Sequence, residues 1–325
     1  MNAVIKAVEY HLPQRIQTNE QLAALYPAWN VRRTAEKTGI HARHIAAENE
    51  LASDLAVVAA RKLFDSGVIT PAEIDFVLLC TQSPDYLLPT TACLLQSRLG
   101  IPTTAGALDF NLGCSGFVYG LSLAKGLIET GQVRNLLLIT AETYSKHIRA
   151  DDRAVRLLFS DAAAVTLLQS NQSPEVNIGP FVFGTDGAGG PNLIVRRGGL
   201  RSTESPGVQL DLYMNGPEIF AFTLDTVPKS VDQLLAKSGK ALAEIDLFIF
   251  HQANGYMLEH LRDRMDIHPE KFFVEVSEIG NTVSASIPIA MKLAQQAGRL
   301  RAGELVMLVG FGVGYSWSGT LIRIP

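Results

Sequence analysis

Cys114 lies in Leu112-Gly113-Cys114-Ser115-Gly116, between an apolar run from Ala107 to Phe110 and a helical run from Phe117 to Ile128. The thiol is thereby set at a strand-to-helix turn, where free backbone N–H groups and the positive end of the helix dipole favour an anion. The expectation is a lowered thiol pKa and a nucleophilic thiolate, with Gly113 and Gly116 letting other segments approach closely. A lone cysteine is more often a small core hydrophobe. Cys114 differs through its company, a histidine and an asparagine in His251-Gln252-Ala253-Asn254 and Gly280-Asn281-Thr282-Val283 far downstream. A thiolate can accept an acyl group without losing thioester energy, and a histidine ring and a carboxamide can both donate hydrogen bonds to an oxyanion. Each has a plainer role to set against this: His251 as a satisfied core histidine, Asn281 as a helix cap, which is compatible with catalysis. Glu142, at a strand end, reads equally as a cleft residue or a solvated loop carboxylate. Cys80 and Cys93 fall in apolar stretches and read as packing residues.

Positioning these groups requires an α/β framework. Apolar runs of strand length (Ile74 to Thr81, Asn135 to Ala141, Ala162 to Gln169, Ile245 to His251, Glu304 to Gly310) alternate with helical candidates. The helical stretches are Ser53 to Ser66, Pro89 to Leu99, Ser115 to Thr130, Pro217 to Ser238, Asn254 to Arg264 and Ser284 to Ala297. Loops are expected over Ser83 to Leu88, Thr185 to Pro191 and Arg196 to Pro206. The chain also repeats itself. Ala72-Glu73-Ile74-Asp75 before an apolar strand returns as Ala243-Glu244-Ile245-Asp246, and Gly113-Cys114, a helix and Gly131 return as Gly280-Asn281, a helix and Gly298. Two duplicated halves follow, residues 1–171 carrying the cysteine and 172–325 carrying the histidine and asparagine, with Cys114 and Asn281 starting corresponding helices that face one cleft.

With 325 residues and 47% hydrophobic content the chain can fill sizeable cores, and a net charge of −4 supplies no overall basic field for nucleic acid or an anionic membrane. Three cysteines fit neither a disulfide framework nor a zinc pattern. The Gly184 to Gly190 stretch lacks the lysine and hydroxyl residue of a phosphate loop. With no signal-like start or membrane span, a soluble cytoplasmic protein is expected.

Taken with Lys37-Thr38-Gly39-Ile40, Arg43-His44-Ile45, Pro89 to Cys93 and the closing Gly310 to Trp317, the three segments around Cys114, His251 and Asn281 resemble the β-ketoacyl-ACP synthase III family over essentially the whole chain. The resemblance implies a thiolase-like five-layered αβαβα fold, a homodimer, and decarboxylative condensation of an acyl thioester with a malonyl thioester on acyl carrier protein through acyl-Cys114. It implies no cofactor beyond CoA or ACP thioesters as substrates, and no metal. In this reading His251 and Asn281 serve the malonyl thioester oxygen, the amides of Cys114 and the Gly312-Val313 region hold the tetrahedral intermediate, and Phe311 excludes water. Asn254 would meet pantetheine, and Arg153, Lys37 and Arg33 would meet phosphates or the carrier protein. Departures concentrate at the donor groove: Arg33 stands where acetyl-CoA-using members carry a tryptophan, Trp29 lies elsewhere, Tyr256 stands for a usual arginine, and Ala154 follows Arg153. These predict a donor other than acetyl-CoA. An acyltransferase moving the Cys-bound acyl group to oxygen or nitrogen remains the alternative.

Overall fold

The computed structural model describes residues 1–201 and 210–325, so the expected loop from Arg196 to Pro206 lies outside the described residues from Ser202 onward. The strands are β1 (Asn2–His11), β2 (Ile16–Thr18), β3 (Ala42–His44), β4 (Phe76–Cys80), β5 (Gly106–Phe110), β6 (Asn135–Glu142), β7 (Ala162–Asn171), β8 (Ile178–Thr185), β9 (Leu193–Ile194), β10 (Tyr213–Met214), β11 (Leu247–Phe250), β12 (Leu305–Gly312) and β13 (Ser316–Arg323). The helices are α1 (Asn19–Leu25), α2 (Val31–Thr38), α3 (Ala52–Asp65), α4 (Thr91–Arg98), α5 (Gly116–Glu129), α6 (Arg153–Arg156), α7 (Gly216–Ser238), α8 (Gly255–Arg264) and α9 (Ser286–Gln296).

Two mixed sheets carry the fold, one ordered β1-β7-β6-β4-β5 and the other β11-β12-β13-β8. Helix α5 packs on β4, β6 and β1 of the first sheet and on β12 and β13 of the second, while α9 touches β1, β7 and β11. These two helices form the central layer. Helices α3 and α4 cover the outer face of the first sheet, and α7 covers the outer face of the second with α8 against it, which completes a five-layered thiolase-like αβαβα arrangement. Both sheets are therefore covered on both faces, and this explains why β4, β6, β11 and β12 read as continuous apolar runs rather than alternating ones. The central core joins Leu78, Phe117, Leu121 and Leu138 from one half to Ile249, Ile287, Met291 and Leu308 from the other.

The repeat is visible in hydrogen bonds as well as in order. Strand β4 runs parallel to β6 as β11 does to β12, each of which is followed by an antiparallel partner, β7 or β13. Asp75 accepts from the amide of Asn135 at 2.9 Å, and its counterpart Asp246 accepts from Leu305 at 2.8 Å, so the repeated acidic residue clamps the start of the neighbouring strand in both halves. Gly131 and Gly298, after α5 and α9, hold φ of 74° and 67°, the left-handed values that end a helix at glycine. One asymmetry decides how the cleft is built. The fifth strand β5, which leads to Cys114, has as its counterpart only a single parallel bridge, Phe248 to Phe272, on the approach to Asn281. The expected strand from Ile245 to His251 is correspondingly shorter, because Ile245 closes a 3-10 turn before β11 and His251 leaves the sheet after it.

Candidate active site

Cys114 precedes α5 by two residues and is 6% exposed. Its sulfur sits against β12, where a Cβ added at Gly312 would lie 3.0 Å from both Cβ and Sγ of Cys114, and one at Gly310 would lie 2.7 Å from the Cys114 carbonyl oxygen. Gly116 and Gly113 face Cys80 Sγ and Gln82 in the same manner, as the sequence suggested. The amides of Cys114 and Val313 both hydrogen-bond toward the sulfur. The thiol pKa does not fall as expected. Burial pushes it up to about 12, Glu142 adds to the rise, and the two amides only oppose it. The resting group is a thiol, because the walls brought by β12 and β6 outweigh the helix start. Substituting Gly312→Ala is expected to slow acylation of Cys114 by roughly tenfold, since a displacement below 1 Å of a reacting group suffices for that; an unchanged loading rate in rapid-quench assays would contradict the contact.

His251 is held at the end of β11 by its amide donating to Val309 O at 2.8 Å, and is 2% exposed. Its Nδ1 lies 2.7 Å from Ser286 Oγ, which itself accepts from the Gln252 amide at 3.3 Å. A serine hydroxyl that accepts from an amide has its own proton free for Nδ1, leaving the other ring nitrogen, Nε2, as the N–H. Burial lowers the ring to about 3, against a smaller opposing effect of the Val283 carbonyl, so the imidazole is neutral. The Phe311 ring packs edge-on against it at 5.5 Å.

Asn281 is fixed by a parallel bridge to Phe159. Its amide donates to Leu158 O and its carbonyl accepts from the Ser160 amide, each at 2.9 Å. Its Oδ1 accepts from Val283 N at 2.9 Å, just ahead of the short turn Val283–Ala285, so it does not cap α9, and its Nδ2 is left as donor. Val283 takes φ of 55°, a strained value for a β-branched residue, in the loop that aims this carboxamide.

These three groups line the inner end of one cavity of about 440 Å³ with Gly312 and Phe311. Phe159, Leu193, Met214 and Ile219 make its wall apolar, and Lys37, Arg153 and Asn254 lie along it toward solvent. Asn254 caps α8 through Oδ1, which accepts from Met257 N at 2.9 Å. Arg33 is a correction: it is exposed on α2 and does not line the cavity, whereas Thr34, Lys37 and Thr38 do. Trp29 stacks on Tyr26 at 4.0 Å and belongs to a packing cluster. Tyr256 lines the cavity with Lys37 Nζ 4.7 Å from its ring centre and Phe220 stacked at 5.5 Å. Cys93 is a second correction, since α4 turns Ala92 and Leu95 inward and leaves this thiol exposed.

Reading by residue type missed the network that ties the two halves together behind the cysteine. Glu142, fully buried, accepts from Ser284 Oγ at 2.8 Å, from the Gln82 amide at 3.0 Å and from Ser83 Oγ at 3.2 Å. The available signal was Ser284 and Ser286, two hydroxyl residues at an otherwise apolar helix start. Burial raises the Glu142 carboxyl from 4.5 to about 8. A folded pKa above the unfolded one contributes stability that is complete below pH 4.5 and lost as pH rises through about 8. Glu142→Gln is therefore expected to flatten the loss of stability across that window in denaturant titrations. Above about pH 8, where the native carboxylate ionises and opposes the thiolate, the variant should alkylate at Cys114 roughly tenfold faster than the parent, both measured with Cys93→Ser in place. Parallel rate–pH profiles would contradict the coupling.

A buried thiol at an inner helix start, sharing one cavity with a histidine and an asparagine from far along the chain in a five-layered fold, is the arrangement of a thiolase-fold condensing enzyme. Models of the 3-oxoacyl-[acyl-carrier-protein] synthase III family match residues 108–187 and, for its C-terminal part, 235–324. The β-ketoacyl-[acyl-carrier-protein] synthase III of Campylobacter jejuni is 36% identical over 99% of this chain and 98% of its own, and that of Caldanaerobacter subterraneus subsp. tengcongensis is 34% identical over 96% and 95%. A crystal structure of a 3-oxoacyl-(acyl-carrier-protein) synthase III superposes with a TM-score of 0.97 at 50% identity, covering all of both chains. The priming β-ketosynthase of the R1128 polyketide pathway follows at 0.92 and 27%, over 100% of this chain and 96% of that one. The chain belongs to the β-ketoacyl-[acyl-carrier-protein] synthase III family.

Proposed function

We propose that this protein condenses an acyl thioester with a malonyl thioester on acyl carrier protein, as an acyltransferase that forms a carbon–carbon bond. The observation that carries the reading is the convergence of Cys114, a neutral His251 and the free Nδ2 of Asn281 on one apolar cavity. In the first half-reaction Cys114 Sγ attacks the acyl carbonyl, the Cys114 and Val313 amides hold the oxyanion, and the thiol proton leaves with the departing CoA or carrier sulfur, so no external base is consumed. In the second, the malonyl carboxylate leaves as CO₂ and its bonding pair forms an enolate whose oxygen takes hydrogen bonds from His251 Nε2 and Asn281 Nδ2. The enolate carbon attacks the acyl group, the C–S bond breaks, and Cys114 departs as a thiolate that takes one proton from solvent. Two neutral donors suit an oxyanion that forms and vanishes within one turnover, and Phe311 keeps water from the thioester. The alternative transfer to oxygen or nitrogen has no use for a second pair of donors.

The same reading keeps the chain as two thiolase-like halves, 1–171 and 172–325, in a homodimer. Tyr86, Leu87 and Leu88, which are 61%, 78% and 82% exposed, support association. Among the described residues no helix is long and apolar enough to cross a membrane, and a cytoplasmic location fits the carrier-protein substrate. At the donor groove, Lys37, Arg153 and Asn254 would hold the pantetheine and phosphate end, with Tyr256 and Phe220 as an aromatic rim. Arg33 would contribute only a surface charge. Acetyl-CoA is expected to be a poor primer, and longer acyl-CoA or acyl-carrier-protein donors better ones, because the apolar wall supplies affinity that the altered groove lacks. Steady-state comparison of acetyl-, butyryl- and octanoyl-CoA with the matching carrier-protein thioesters, with malonyl-ACP as extender, tests both claims. Formation of 3-oxoacyl-ACP supports the condensation; the highest kcat/KM for acetyl-CoA would overturn the donor assignment.

A further inference from the structure

A second cavity, of about 190 Å³, lies on the other side of Phe159, bounded by Arg15, Gln17, Ile45, Ser145, Ile148 and Arg156. Phe159 lines both cavities, and the segment carrying it pairs with Asn281. Positive charge collects here, and at Arg43 the opposing effect of Glu20 is smaller than that of Arg156. The Nε of Arg156 is buried and has no partner, and Gln17, 3% exposed, leaves Oε1 unpaired on the same wall. Behind Gln17 stands Arg43, fully buried, whose Nη1 reaches Asn19 Oδ1 at 2.7 Å and Leu157 O at 3.4 Å and whose Nη2 reaches Gln17 O at 3.0 Å, all uncharged acceptors, while its Nε is orphaned. Among the described residues none of these arginines makes an ion pair. The nearby carboxylate of Asp161 is turned away onto the Ala46 amide at 2.8 Å and the Ser145 amide and hydroxyl at 2.9 and 2.5 Å.

Arg43 is a buried guanidinium whose hydrogen bonds go to neutral acceptors only, and it feels the like charge of Arg156 more strongly than the opposing carboxylate of Glu20, so an anion held beside Arg156 would relieve the arrangement. We propose that this cavity binds a phosphate-class oxyanion between Arg15 and Arg156. The space exceeds several waters at ~30 Å³ each, which admits a tetrahedral oxyanion or a small phosphomonoester but no nucleotide. Two guanidinium forks match a dianion's oxygens better than a single carboxylate. The site is separate from the donor groove, whose cations are Lys37 and Arg153 on the far side of Phe159.

Equilibrium dialysis of the full-length protein with radiolabelled inorganic phosphate, at ionic strength held constant with chloride, tests this. One saturable phosphate per chain is expected, retained in Arg153→Ala and in the presence of excess CoA. Binding should weaken by roughly tenfold or more in Arg156→Gln, the loss of a charge-assisted pair. Arg15→Gln, at an exposed position that leaves folding intact, should weaken it similarly. Competition by glycerol phosphate identifies a monoester as an admissible source, and its failure restricts the site to the free anion. Absence of saturable binding, binding unchanged in both arginine variants, loss in Arg153→Ala, or equal competition by succinate would overturn the proposal.

Discussion

Replacing Cys114 by alanine is expected to abolish covalent acyl loading, while Cys80→Ser and Cys93→Ser retain it. Cys80 is buried, its Sγ hydrogen-bonds to Leu112 O at 2.9 Å, and its thiol is pushed up by burial and by Glu142, so it has neither access nor charge. Cys93 is exposed but remote from the cavity lining, and it will label with general alkylating agents without receiving an acyl group. Labelling alone therefore does not identify the nucleophile. Site-resolved loading does, and loading that survives Cys114→Ala would sink the assignment. Because the resting thiol is protonated, alkylation of Cys114 should also climb with pH through the neutral range rather than plateau there.

His251→Ala and Asn281→Ala are expected to separate the half-reactions. Both variants should still acylate at Cys114, since the Cys114 and Val313 amides serve that oxyanion, yet lose malonyl decarboxylation by roughly 10²-fold or more, the scale of removing one oxyanion donor. The neutral His251 ring makes a further distinction. With the ring at about 3, this histidine should leave decarboxylation flat between pH 8 and 6, whereas a catalytic imidazolium of ordinary pKa would make the rate climb as pH falls across that range. Equal CO₂ release in the parent and both variants would contradict the roles.

Much of this was readable in the residues because the signals were local or repeated. Apolar run length placed the buried strands to within a few residues, and the duplicated Ala-Glu-Ile-Asp segment marked the same strand-clamping aspartate in each half. The turn position of Cys114 was read correctly, but its acidity was not. A helix start acts over one turn, whereas the burial comes with the close approach of Gly310 and Gly312 of β12, about two hundred residues away in sequence, and the charge of Glu142 at the end of β6 adds to the rise. Glu142 itself was ambiguous because a carboxylate at a strand end looks the same whether water or Ser284 of the other half meets it. Arg33 shares a helix with Lys37 and was grouped with it by charge, yet only Lys37 faces the cavity. Cys93 was misplaced because a short apolar helix does not declare which face is buried.

The central claim is that one sulfur carries the acyl group and passes it to carbon. Intact-protein mass spectrometry after loading with a long-chain acyl-CoA, followed by rapid-quench addition of malonyl-ACP, tests it directly. The account predicts one acyl mass added per chain at Cys114, discharged on malonyl-ACP addition with stoichiometric CO₂ and 3-oxoacyl-ACP. An adduct that persists with malonyl-ACP but discharges to an alcohol or amine, without CO₂, would contradict it.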